Sequence, residues 1–149
     1  WLGSCSGFIR RAVGTDAEMN PVERFFFLLA GVNGFLGVAL GAFGAHGLRS
    51  SLAHTADGSR RLEVWETASR YQLVHAVALA LVAYLSTRSA APFPSIAGYL
   101  FQAGIVIFSG SLYALAITGV RGLGTITPIG GLCLLGGWGV FVFAATKLP

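Results

Sequence analysis

Two histidines, His46 and His75, a Glu66–Arg70 pair four residues apart, and the tyrosines Tyr71 and Tyr113 are the side chains here with the chemistry for ligation or proton transfer. Imidazole is a frequent ligand of haem and of metals, and ionisable groups at membrane depth can relay protons. Each group also has a plain structural use. His46 can end a helix at an interface, His75 can hydrogen-bond inside a bundle, and Glu66 can neutralise Arg70 one helical turn away. No third ligand stands at a recognised metal spacing, so His46 and His75 are candidate cofactor-binding residues with no metal site expected. No Ser/His/Asp or Cys/His arrangement is present, and the few acids form no carboxylate pair. The expectation is that the protein is not an enzyme. The glycine string GVALGAFGAHGL, residues 37–48, lacks the Lys-Ser/Thr that a phosphate-cradling loop requires.

The elements that must position these residues follow from composition. The 149 residues are 54% hydrophobic and only 11% charged, with a mean hydropathy of +0.71, whereas roughly a quarter of a soluble domain is charged. The solvent is lipid. A net charge of +4 does not indicate nucleic acid, because the basic residues are scattered between apolar runs. Cys5 and Cys133 give no disulfide framework or CxxC pair. A membrane-spanning helix needs ~20 mostly apolar residues, and runs at 25–44, 96–118 and 126–145 meet that requirement. The fourth, LVHAVALALVAYL (73–85), is too short alone and must recruit the preceding residues, giving a span at 69–86. The expected fold is all-α, an integral membrane four-helix bundle of up-down topology. Its single domain is 25–145, with an N-terminal extension at 1–24 and a tail at 146–149. SRRLEVWETASRYQ reads as an interfacial amphipathic helix between spans one and two that bends into span two. Thr127 is placed to cap span four, with Pro128 at its first helical position. Lys and Arg divide evenly between the two sides and leave the orientation open.

Up-down order brings the end of span one, the start of span two, the end of span three and the start of span four to one membrane face. That face should gather His46, Glu66, Arg70, Tyr71, His75, Tyr113 and Thr127 into a polar mouth. Asn33 and Gln102 lie deeper, in position to hydrogen-bond across helices. Gly34, Gly37, Gly41 and Gly44 recur at spacings of three and four, a stripe for close helix approach. Gly130, Gly131, Gly136 and Gly137 thin span four in the same way. Such surfaces can also admit a haem, a pigment, a quinone or a structural lipid, although no cofactor is required by the sequence.

The motifs GVNGFLGVALGAFGAHGL, WETASRYQLVHAVAL, FQAGIVIFSGSLYALAITG and LGTITPIGGLCLLGGW occur in this order. Together they resemble the transmembrane protein 256-like small multipass membrane proteins of domain-of-unknown-function family 423, over residues 24–138. The resemblance implies a four-span inner-membrane protein without established activity and supplies no catalytic residues. Bacterial members begin near the position of Met19, so residues 1–18 read as an extension left beside a removed organelle-targeting segment, or as a disordered tail. These features give the expected setting as the mitochondrial inner membrane, with a plastid thylakoid membrane or a bacterial inner membrane as alternatives. The expected role is a structural or accessory subunit packed against the other membrane chains of a hetero-oligomeric energy-converting complex. A small transporter, channel or lipid or cofactor carrier using the His46/His75 mouth is the alternative. Contact with the lipid bilayer follows from either, and contact with nucleic acid from neither.

Overall fold

A computed structural model describes residues 19–89 and 91–148. Cys5, Arg10, Arg11 and most of the expected extension lie outside them. Four helices carry the chain back and forth: α1, Pro21–Leu52; α2, Gly58–Arg88; α3, Phe93–Thr118; and α4, Thr127–Ala145. There is no strand among the described residues. All four helices are long and apolar enough to cross a membrane, α4 together with the short 3₁₀ turn Arg121–Thr125 before it. Their ends have local causes. Asn20 Oδ1 accepts from the Val22 N–H at 3.1 Å, with Pro21 opening α1 and Glu23 in its first turn. Gly119, at φ +73°, closes α3 in the left-handed conformation that a side chain would disfavour. α2 stops at Arg88, and Pro92 and Pro94 stand at the start of α3, where their missing N–H groups cost nothing.

The stretch SRRLEVWETASRYQ is not a separate interfacial helix. It is the first half of an unbroken α2, and only residues 53–57 separate α1 from α2. The reason lies in its buried face: Trp65, Ala68 and Ser69 pack inside the bundle, so the segment continues as a packed helix. Thr127 is likewise the first helical residue of α4 and makes no capping bond; its hydroxyl meets that of Ser111 at 2.8 Å.

α2 is the centre of the bundle. It packs against α1 and α3, α4 packs on α3, and α1 touches α3 sparingly. This explains why the least apolar of the four segments is a spanning helix: its faces meet protein more than lipid. Two apolar cores result. One joins Phe26, Leu79, Val82, Phe101, Ile105 and Leu134; the other joins Leu48, Leu52, Trp65 and Ala116. Between them lies a belt of buried Asn33, Ser69, Gln72 and Ser109. Wide π turns at Gly44–Leu48 in α1 and Ile105–Ser109 in α3 add a residue to one turn of each helix. They keep Gly44, Leu48 and Leu52, and Phe101, Ile105 and Ser109, on the buried sides although each series is spaced by four.

The glycines divide by neighbour. A methyl group on Gly37 would stand 2.7 Å from Leu73, and one on Gly41 3.0 Å from the Ser69 hydroxyl. At Gly44 it would run into Trp65, and at Gly130 into the backbone of Phe108. Gly137 faces Phe101 at 2.6 Å. Gly34 does not belong to this contact: it has nothing within 4 Å, because the face that holds Gly37 turns it toward the membrane. Gly131 and Gly136 make only ordinary contacts, at 3.8 Å and 3.7 Å. Gly130→Ala is therefore expected to destabilise the bundle by about 1–3 kcal/mol and Gly34→Ala to leave it unchanged or stabilise it by up to about 1 kcal/mol in reversible unfolding from detergent micelles. Equal effects would contradict this division.

Candidate functional site

The belt is built from side chains whose orientation one carbonyl fixes. Asn33 Nδ2 donates to its own helix at Leu29 O (2.8 Å) and across to Gln102 Oε1 (2.8 Å). A carbonyl can only accept, so the amide nitrogen must face Leu29, and the Gln102 oxygen must then face Asn33. Gln72 Nε2 donates to Asn33 O at 3.3 Å, which leaves Gln72 Oε1 to accept the Tyr113 hydroxyl proton at 2.9 Å. Around these, Trp65 Nε1 donates to Leu40 O (2.8 Å), Ser69 Oγ to Gly37 O (2.9 Å) and Ser109 Oγ to Ala68 O (2.9 Å). Every fully covered side-chain nitrogen and oxygen among the described residues has a partner. That is the condition for placing such groups where water cannot reach.

His75 is satisfied in the same way. Its Nδ1 lies 2.7 Å from Tyr71 O, and Trp138 Nε1 donates to its Nε2 at 3.2 Å. The carbonyl requires a proton on Nδ1 and the indole N–H requires a lone pair on Nε2, so both ring nitrogens are engaged in a single neutral tautomer. Tyr71, Phe101 and Trp138 pack around the ring. No lone pair is left for haem or a metal without breaking the Trp138 bond.

The polar mouth is not formed as expected. Gly41 faces Ser69 and Gly37 faces Leu73, so the antiparallel register puts Phe35 level with His75 and Val64 level with His46. The two imidazoles are thus ~16 Å apart along the axis at 1.5 Å per residue. His46 is exposed on the π turn of α1, whereas His75 is buried deep in the bundle. Glu66 and Arg70 are exposed and unpaired with each other; the ion pair among the described residues is Arg61–Asp57, at 3.9 Å. Tyr71 is exposed and packs at a tilt against Phe108, with ring centroids 4.5 Å apart, Tyr113 joins the belt, and Thr127 meets Ser111. The end of the bundle is closed instead by Arg61, whose guanidinium donates to Ala116 O (2.7 Å) and to Ile117 O. It satisfies two of the carbonyls left open at the C-terminus of α3. No three His, Cys, Asp or Glu side chains gather as a metal site among the described residues. Cys133 is a half-buried free thiol.

The family model described as "Protein of unknown function (DUF423)" matches residues 40–131, the segment that holds most of this belt. The chain belongs to the DUF423 family. Membrane proteins related to it include the UPF0382 membrane protein YwdK of Bacillus subtilis (strain 168), 42% identical over 125 residues, covering 83% of this chain and 98% of that protein. The UPF0382 membrane protein SAB0533 of Staphylococcus aureus is 40% identical over 124 residues, covering 83% of this chain and 97% of the relative. SERP0230 of Staphylococcus epidermidis is 42% identical with the same coverage. No solved structure matches the chain. The DUF423 chain is thus an integral membrane protein, in contact with the lipid bilayer.

The tautomer of His75 is a direct readout of this site. Nitrogen NMR of the histidine-labelled protein is expected to show one ring with a protonated Nδ1 and an unprotonated Nε2, and Trp138→Phe should shift the Nε2 signal. A protonated Nε2, or a signal indifferent to Trp138, would contradict the assignment.

Proposed function

We propose that this DUF423 protein is a non-catalytic accessory subunit that docks against other membrane chains through the outer side of α1 and α2. The observation that carries this reading is a shallow depression of about 510 Å³ bordered by Ala30, Gly31, Gly34, Ala76 and Ala80. Neither Gly31 nor Gly34 has anything within 4 Å of a methyl group placed on it. A glycine inside a helix costs about 1 kcal/mol relative to alanine, and facing lipid it gains no contact within the chain to offset that. Backbone laid open by small residues is the surface that a second transmembrane helix packs on most closely. The bacterial relatives support a bacterial membrane as the setting of the family; the mitochondrial placement expected from residues 1–18, the plastid alternative and the energy-converting complex draw no support from them. The carrier alternative loses its His46/His75 mouth to the register of α1 on α2.

Mild-detergent extraction of the tagged full chain, followed by native gels and mass spectrometry of co-migrating chains, tests the reading. The expected result is a larger assembly with other membrane chains, lost in Gly34→Leu while the unfolding midpoint of the isolated protein is unchanged. Migration only as a monomer or homo-oligomer, or an assembly indifferent to Gly34→Leu, would overturn it.

A further inference from the structure

α1 and α3 run in the same direction and meet at their beginnings, where Phe26 packs over Gly98 and beside Tyr99. Further along they part, leaving a groove of about 340 Å³ lined by apolar Leu36, Leu40, Ile105 and Val106 and by the belt residues Asn33, Gln72, Gln102, Ser109 and Tyr113. Exposed Val32, Leu36 and Val106 form its lips, so it opens sideways toward the hydrocarbon. The floor is not fully spent. Asn33 is 5% exposed, yet its Oδ1 has no partner among the described residues, and neither has Gln102 Nε2. Because every fully covered side-chain oxygen and nitrogen among the described residues is bonded, these two unbonded atoms retain accessible surface, and the residues that carry them line the groove. Tyr113, also in the lining, donates its hydroxyl hydrogen bond to Gln72 Oε1.

Depth narrows what can meet them. Asn33 stands nine residues along α1 from exposed Arg24 and about seven from the level of exposed Arg70, or ~13 Å and ~10 Å at 1.5 Å per residue. In a hydrocarbon layer of roughly 30 Å this is close to the midplane, out of reach of phospholipid headgroups. A transmembrane helix, about 10–12 Å across, does not enter a space of this volume. The occupant must be hydrocarbon-soluble, carry few polar atoms, and both accept from the Gln102 amide and donate to Asn33 Oδ1. A hydroxyl on an apolar body does both.

The geometry points to this groove as a binding site for a membrane-dissolved molecule with a hydroxyl head, either the phenolic ring of a quinol or the end of an isoprenoid alcohol. Gln102 Nε2 donates to the hydroxyl oxygen, the hydroxyl donates to Asn33 Oδ1, and the α1 and α3 lips hold the hydrocarbon. The site is separate from the outer face of α1 and α2 and does not depend on any partner chain.

The test is binding to the purified full chain in nanodiscs of three probes: a decyl-tailed benzohydroquinone kept reduced with ascorbate, its dimethyl ether, and farnesol. Saturable binding of the hydroquinone or of farnesol is expected, whichever is tighter naming the source, with the dimethyl ether weaker by about tenfold, the factor of one lost hydrogen bond. Gln102→Leu should lose a similar factor. Gly110→Leu should block the groove with an unchanged unfolding midpoint, since nothing lies within 4 Å of a methyl group placed at that position. Equal binding of the dimethyl ether, binding indifferent to both substitutions, or no saturable binding of either hydroxyl probe would overturn the proposal.

Discussion

Three donors of α2 reach three backbone carbonyls of α1 in register: Trp65 to Leu40, Ser69 to Gly37 and Gln72 to Asn33. The donors step by four and three residues, and the acceptors by three and four in the opposite sense, as antiparallel helices in face-to-face contact require. Such bonds need the α1 backbone to be uncovered, and Gly37, Gly41 and Gly44 uncover it where Leu73, Ser69 and Trp65 arrive. Lipid tails provide no hydrophobic drive between helices, so close packing and polar contacts of this kind must hold them together. Were α1 to rotate on α2, the buried indole, hydroxyl and amide would all lose their partners together.

The remaining architecture follows from that ladder. With Gln72 committed to Asn33 O, its free oxygen takes the Tyr113 hydroxyl and ties in α3. Ser109, set inward by the π turn, bonds Ala68 O from the same side. His75, one turn beyond Gln72, then reaches Trp138 on α4. One face of α2 thus joins the three other helices, which is why α2 is the most buried of the four although it is the least apolar. The polar belt holds the bundle together, and its unspent atoms, at Asn33 and Gln102, lie where α1 and α3 part.

Much of this was legible in the residues. Four apolar runs, the prolines and the polar interruptions indicate four helices in up-down order, and Asn33 and Gln102 lie at matching depths for a bond across spans one and three. Trp65, Ser69, Gln72, Ala76 and Leu79 recur at spacings of three and four, a pattern that marks the inner face of α2 and shows the amphipathic stretch to be part of the span. The pattern includes Gln72, but its partners and those of Ser109 and Trp138 stand on helices distant in sequence and leave no signal in it. The merging of His46 and His75 into one mouth failed for a different reason. Span order assigns residues to an end of the bundle, but depth depends on the sliding register of α1 against α2, which is set by the fit of Trp65 over Gly44. Neither the π turns nor the outward rotation of Gly34 has a local signature, because both result from packing between helices far apart in sequence.

Cysteine cross-linking in the membrane tests the register of α1 on α2 most directly. With Cys5 and Cys133 replaced by serine, Gly41→Cys combined with Ser69→Cys is expected to form a disulfide rapidly on mild oxidation, since a methyl group at Gly41 would stand 3.0 Å from the Ser69 hydroxyl. The pair Gly31→Cys and Ser69→Cys should not. Failure of the first pair to cross-link above the second would contradict the ladder, and with it the bundle built on it.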